Sequence, residues 1–366
     1  MTSRCLAVSA VNFTEGGPLS ILRDFVAVAC ETLPSEWQIV VFVHDRRLLE
    51  EKRAVLIEIP APKHSWLRRM HMEWFGFRSY AKALTPDLWV SLHDMTPSVG
   101  RTPQAVYCHN PVPFYGIRWR DVWFDPRILT LRLLYGFLYR INIRRNVAVV
   151  VQQAWLRERF KDWVGSATKI IVAHPVSSPN EPTPPRRRAA GVETVSFLYP
   201  SLPRVFKNIE LICRAVEHLE RNSLWRSHVL LTIDGTENRY ARWLKRRFGH
   251  LHSLRLLGRQ SQQQMRVHYA QIDCLLFPSL METWGLPITE AKMVGLPMFI
   301  ADLPYAHEAL GSYDQADFID VHDPAELGRK MLSFQLNTHS FAGARGEAPG
   351  APFAASWKEL LLQLLP

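Results

Sequence analysis

The pattern that most restricts this chain is an alternation. Short apolar runs bounded by turn residues are separated by longer stretches with helical periodicity, and successive runs are not joined by hairpin turns. The runs read as strands are Cys5 to Val11, Gln38 to Val43, Leu88 to Leu92, Ala105 to Cys108, Val147 to Val151 and Lys169 to Val172. Thr194 to Tyr199, Val229 to Asp234, Leu254 to Leu257, Cys274 to Phe277 and Pro297 to Ile300 continue the series. Strands separated by helices imply parallel sheets with crossover connections, hence an α/β chain. At 366 residues and 47% hydrophobic content it exceeds one ordinary core, so two domains are expected. The stretch HPVSSPNEPTPPRRRAAG has five prolines and no periodic apolar face, which marks a linker at 176–190. It separates a first domain, 1–175, from a second, 191–340. Residues 341–366 hold a Gly/Ala/Pro connector and the amphipathic WKELLLQLL. Two such sheets leave a cleft at the carboxyl ends of their strands, where ligands bind.

Composition narrows the class. The opening MTSRCLAVSAVNF reads as a first strand and not as a signal peptide. No apolar window is long enough for a membrane span, so a soluble or peripheral chain is expected. The five cysteines are scattered, without a CxxC pair, which suggests buried free thiols in a reducing compartment. Residues 60 to 145 carry thirteen Lys/Arg against five Asp/Glu, a surplus of eight within a net +10. HSWLRRMHMEWFGFRSYAK and IRWRDVWFDPRILTLRLLYGFLYRINIRR mix these cations with aromatic rings. Such a mixture suits anionic lipid headgroups with rings dipping into the interface. Stacking on single-stranded nucleic acid is the less favoured reading.

Two segments carry candidate chemistry. In VNFTEGGPLSILRDF, Gly16 and Gly17 allow close backbone approach and Pro18 suits a helix start. Free N–H groups there would suit a phosphate or sugar oxygen. GxGxxG and GxxxxGK[ST] are absent, so a dinucleotide fold and a P-loop lose support. In FPSLMETWGLPITEAKMVGLP a buried strand ends at Pro278, Glu282 falls in a loop, and Glu290 lies about one turn into a helix. Thr283, Trp284, Gly285 and Leu286 lie between the two carboxylates and can offer N–H groups. By spacing alone, a ligand-gripping pair and a helix-dipole carboxylate beside an exposed one are equally good readings.

The segment ETWGLPITE resembles the E-x7-E motif of family-4 retaining glycosyltransferases, as does the preceding FPS and the following AKMVGLPMFIADLPYAHEAL. The departures are Thr283 for the usual small residue and Trp284 for Phe or another aromatic, a larger ring expected to narrow the sugar pocket. The resemblance is strongest over about residues 194 to 330. It implies the GT-B fold, with two Rossmann-like doubly wound parallel-sheet domains facing a central cleft and a C-terminal helix packing back toward the N-terminal domain. It places Glu282 at the donor sugar and reacting face, and Glu290 at the ribose hydroxyls. Thr283, Trp284, Gly285 and Leu286 would hold sugar and phosphate between them. Lys207, and less securely Arg204, would neutralise the diphosphate, with Arg259 and Gln260 beside the base. His109, in YCHNPVPFY, resembles the histidine that faces the donor sugar, with His93-Asp94 as the competing site. Gly16 and Gly17 complete the expected donor contacts.

The expected activity is therefore a retaining, metal-independent hexosyltransferase, taking mannose, rhamnose or another hexose from a nucleotide-diphosphate sugar. Its acceptor would be a lipid-linked or saccharide acceptor in bacterial surface polysaccharide synthesis of the O-antigen or lipopolysaccharide type. No cofactor and no metal are expected, since no Asp-x-Asp pair stands in the sequence. The expected location is cytoplasmic and peripheral, on the inner face of the plasma membrane through the basic aromatic N-terminal domain, with no nucleic acid as partner. A non-catalytic GT-B-like protein that binds nucleotide sugar or lipid is the alternative.

Overall fold

The computed structural model describes residues 4–14, 16–60, 62, 65–175 and 194–365. Among them the strands, in chain order, are β1 (Arg4–Ser9), β2 (Trp37–Val43), β3 (Ala54–Glu58), β4 (Leu88–Ser91), β5 (Gln104–Cys108), β6 (Ala148–Val151) and β7 (Lys169–Ala173). They continue as β8 (Ser196–Tyr199), β9 (His228–Leu231), β10 (Leu254–Leu256), β11 (Cys274–Phe277), β12 (Met298–Ala301), β13 (Ala316–Ile319) and β14 (Phe353–Ala354). The chain divides into two compact units. One comprises Met1–Phe114, Leu131–Ser178 and Pro349–Pro366; the other comprises Tyr115–Thr130 and Pro179–Ala348.

The first unit is built on a parallel sheet of order β14-β7-β6-β5-β4-β1-β2-β3. Helices cover both faces, which is why its central strands are almost wholly apolar. On one face Leu6, Val8, Ile39 and Val41 pack under the helices Gly16–Thr32 and Trp357–Leu364. There Phe25 and Trp357 meet edge to face at 5.9 Å. On the other face Ala7, Val40 and Phe42 pack against Phe77 and Ala81 of the helix Phe77–Leu84. Each fully buried aliphatic side chain of this kind stabilises the fold by roughly 1.5–3 kcal/mol. The order reverses direction between β4 and β1, so the loops leaving these neighbouring strands part and open a crevice at their carboxyl ends.

The second unit repeats the plan with the order β10-β9-β8-β11-β12-β13, again all parallel. Its reversal lies between β8 and β11.

The strands read from the sequence are present with shifts at their ends. Three strands were not foreseen: β3, β13 and β14. All three lie at sheet edges: β3 is only partly covered, β13 has Asp317 within it and β14 has two residues. The segment Tyr115–Thr130, expected in the first domain, belongs to the second unit. Arg120 pairs with Glu210 and lies 4.9 Å over the Trp243 ring, and Phe124 packs on Tyr240 at 5.1 Å. The final residues join the first unit, with β14 paired to β7 and the last helix against the first. The expected linker at 176–190 lies outside the described residues.

Candidate functional site

In the second unit the loops after β8 and β11 are stitched together at the reversal point. The Leu280 amide and the Ser279 hydroxyl both donate to the Phe206 carbonyl, at 2.7 and 3.3 Å, and Tyr305, from the helix after β12, donates its hydroxyl to the Ser279 carbonyl at 2.7 Å. The Tyr199 hydroxyl donates to the Lys207 carbonyl at 2.7 Å, fixing the backbone that carries this lysine. Lys207 Nζ in turn bonds Glu282 Oε1. The two side chains keep only 18% and 14% of their exposure, so this ion pair is drawn largely out of water, where its attraction is less screened.

Gly285 then turns the chain into the helix Leu286–Met293 with φ at +91°. A Cβ there would fall 3.2 Å from Ile288 Cδ1 and 3.3 Å from Phe277 Cε1, so both backbone angle and space call for glycine. One turn on, Glu290 Oε2 accepts from the Tyr269 hydroxyl at 2.7 Å. Burial of the carboxyl raises its proton affinity, and the Tyr269 bond opposes that rise. By surface area the residue as a whole is exposed. Oε1 has no protein hydrogen bond among the described residues. The Tyr269 phenol is pushed well up by burial and by Glu290, so it stays a neutral donor.

The other residues named from the sequence fall less simply. Trp284 is buried, and its indole N–H donates to Thr289 Oγ1 at 2.8 Å, so the ring serves packing around the turn. Thr283 and Leu286 are half-buried beside it. Arg204 reaches Asp125 at 3.4 Å. Gln260 spends its amide within its own loop, donating to the Leu257 and Gly258 carbonyls at 2.8 and 3.2 Å, with His268 Nε2 3.1 Å from its oxygen. Arg259 is exposed. Sequence reasoning did not single out Tyr269 or Tyr199, whose contexts, VHYAQ and FLYPS, look like those of core tyrosines.

In the first unit the loops around the β4/β1 reversal enclose a pocket of about 240 Å³. Asn12, Phe13 and Pro18 line it from the loop and helix start after β1, Asp94 from the β4 end, and His109 and Asn110 from the β5 end. Gly16 and Gly17 are the first two residues of the helix Gly16–Thr32. His109 and His93-Asp94, which the sequence offers as competing sites, form one cluster. Asp94 Oδ1 accepts from the His109 and Asn110 amides at 2.7 and 3.2 Å and from the Tyr139 hydroxyl at 2.7 Å. The same oxygen lies 3.4 Å from His109 Nδ1, without an aligned hydrogen bond. Phe13 stands edge-on to His109 at 5.6 Å and to His93 at 6.3 Å. His93 is wholly buried behind the pocket wall. Burial first, then Arg69 and His109, hold its pKa well below the usual value, so it is neutral. Among the described residues no group of three or more His, Cys, Asp or Glu side chains is placed to hold a metal ion.

Residues 187–341 match the family model for glycosyl transferases group 1. That segment contains Lys207, Glu282, Gly285 and Glu290. No curated protein matches the chain in sequence. Among solved structures, it is similar to sucrose-phosphate synthase from Thermosynechococcus elongatus, at 13% identity and a TM-score of 0.64, covering 92% of this chain and 90% of that one. The apo lipopolysaccharide outer core galactosyltransferase WaaB is similar at 14% identity and 0.62, over 91% and 90%. HepE from Anabaena, solved in complex with UDP-glucose, is similar at 15% identity and 0.60, over 99% and 95%. These likenesses and the two parallel-sheet units show the fold. It is GT-B.

Proposed function

We propose that this protein is a retaining, metal-independent glycosyltransferase that moves a hexose from a nucleotide-diphosphate sugar to a lipid-linked or saccharide acceptor in bacterial surface polysaccharide synthesis. The observation that carries the reading is the Lys207–Glu282 pair beside the left-handed Gly285 turn, with Glu290 eight residues on, inside the segment matched by the glycosyl transferases group 1 model. A shielded lysine next to a turn of backbone amides suits the negative charge that grows on a departing diphosphate. Glu282 would hold donor sugar hydroxyls and, through its ion pair, keep Lys207 in place. The free Oε1 of Glu290 would accept from a ribose hydroxyl while Tyr269 fixes the other oxygen. The acceptor hydroxyl would attack on the face from which the nucleotide leaves: its oxygen bonds the anomeric carbon, the carbon–phosphate oxygen bond breaks, and the departing phosphate oxygen takes the proton. In this scheme neither glutamate serves as general base. His109, held by Asp94 and Phe13, is proposed to contact the donor sugar.

Location at the inner face of the plasma membrane belongs to the same proposal. Leu67, Phe75 and Phe137 of the first unit are 74%, 67% and 61% exposed, and the same segments carry the exposed cations Arg68, Arg78, Arg132 and Arg140. Exposed rings between arginines match an anionic headgroup layer. Among the described residues no helix is long and apolar enough to cross a membrane.

The test is a panel of GDP-, UDP- and dTDP-sugars screened by thermal shift, followed by transfer of the best donor's labelled sugar to a bacterial membrane extract. One donor raising the melting temperature and supporting transfer is the expected outcome, because ligands that bind only the native state stabilise it. Binding without transfer or hydrolysis would favour the non-catalytic alternative, and no binding by any donor would overturn the donor site.

A further inference from the structure

Behind the first unit's pocket runs a line of buried polar groups that the proposed transfer does not use. A π-helical turn, Met72–Gly76, separates the helices Trp66–His71 and Phe77–Leu84; such local widenings occur often at functional sites. It carries Glu73, which has no exposure. Glu73 Oε1 lies 2.9 Å from Nε2 of His93, off the line of the ring N–H. The opposite ring nitrogen, Nδ1, lies 3.0 Å from Oδ1 of Asn12, a residue that lines the pocket. Asn12 Nδ2 has no protein hydrogen-bond partner among the described residues.

We infer that Asn12 binds substrate in this pocket by offering its Nδ2 hydrogens to a ligand oxygen, and that Glu73 and His93 are positioning residues that decide which end of the amide faces the pocket. The ligand oxygen, a saccharide hydroxyl or a phosphoryl oxygen, rests on the transferase reading; the orientation of the amide does not.

The proton count leads to this orientation. An amide oxygen only accepts, so the nitrogen bonded to it must carry a proton. Glu73 Oε1 stands off the axis of Nε2, so no shared proton is fixed there, and the neutral ring carries its one proton on Nδ1. Burial, opposed by the nearby Arg69, raises Glu73 to about 8, and with His93 held neutral a separate proton resides on Glu73. The charged and titratable groups around the pair are Arg69 from the preceding helix and Asp94 and His109 from the β4 and β5 ends. Arg69 donates to the His93 carbonyl at 2.8 Å and lies 5.0 Å over the Trp66 ring. When Glu73 loses its proton, the single ring proton moves to Nε2, facing the new carboxylate. Nδ1 then becomes an acceptor, the Asn12 amide turns to donate to it, and the pocket is presented with Oδ1 in place of Nδ2–H.

The experiment combines histidine ¹⁵N NMR of the full chain with acceptor kinetics. Wild type should show His93 protonated on Nδ1 at neutral pH and converted to the Nε2–H tautomer above about pH 8, whereas Glu73→Gln, a neutral donor of the same shape, should keep Nδ1–H at alkaline pH. With membrane extract as acceptor, the wild-type KM should rise about tenfold across the same range while Glu73→Gln stays flat, a factor equal to about 1.4 kcal/mol. Asn12→Asp, which keeps an acceptor for His93 but removes the donor, should raise KM at neutral pH by about 10- to 100-fold. A tautomer that does not change in wild type, an identical conversion in Glu73→Gln, or a wild-type KM in Asn12→Asp would overturn the inference. Absence of transfer with every donor would instead sink the transferase reading, and the tautomer titration would still decide the inference.

Discussion

At the scale of single residues, the second unit's candidate site depends on a few contacts that can be removed one at a time. Glu290→Ala deletes the free carboxylate oxygen and should weaken nucleotide binding about 10- to 100-fold, the range for hydrogen bonds to a charged group, measured by calorimetric titration. Glu282→Ala should leave nucleotide affinity closer to wild type and lower turnover more. Equal kinetics of both variants and wild type would remove these glutamates from the site. Gly285→Ala is expected to lose about 1–3 kcal/mol of stability, since a φ of +91° strains any L side chain and Ile288 Cδ1, 3.2 Å away, would have to give way. An unchanged denaturation midpoint would show that the turn relaxes freely.

At the scale of elements, both candidate sites sit where strand order reverses, so loops leaving adjacent strands supply residues far apart in sequence. Lys207 and Glu282 meet because β8 and β11 are neighbours, and Asn12 and Asp94 line one pocket because β1 and β4 are. The last helix is an element of the first unit's core. Trp357→Ala removes a buried ring packed on Phe25 and Tyr107 and should cost about 3–5 kcal/mol, seen in chemical denaturation of the full chain. The exposed face of the first unit gives a second expectation at this scale. Leu67→Asp with Phe75→Asp should reduce cosedimentation with vesicles containing anionic lipid while leaving the nucleotide-sugar thermal shift as in wild type. Undiminished cosedimentation would place membrane contact elsewhere.

At the scale of the whole molecule, buried titration links stability to pH. Glu73 binds its proton more tightly when folded, with the ordinary value of 4.5 raised to about 8, so its contribution is present below the ordinary value and is lost as pH climbs through the folded one. His93 acts in the opposite sense, its depressed pKa withdrawing stability as pH falls below its ordinary range. Glu73→Gln removes only the first effect. Its melting temperature relative to wild type should rise from about pH 5 to pH 8, and a constant difference would mean that Glu73 ionises normally.

Much of this molecule is written locally. Apolar runs fully covered on both faces, such as LAVS and CLLF, announce parallel strands, and the Gly285-Leu286-Pro287 turn with its flanking glutamates marks a candidate site, because backbone angle and periodicity are properties of neighbouring residues. The edge strands stayed hidden for separate reasons: β3 is only partly covered, β13 has Asp317 within it and β14 has two residues. The assignment of Tyr115–Thr130 to the second unit, the burial of Trp284, the partnership of Tyr269 with Glu290 and the line from Glu73 through His93 to Asn12 were decided by tertiary structure alone. Each joins groups between five and about ninety residues apart, and no local rule of spacing fixes which side chains such a fold will bring within hydrogen-bonding distance.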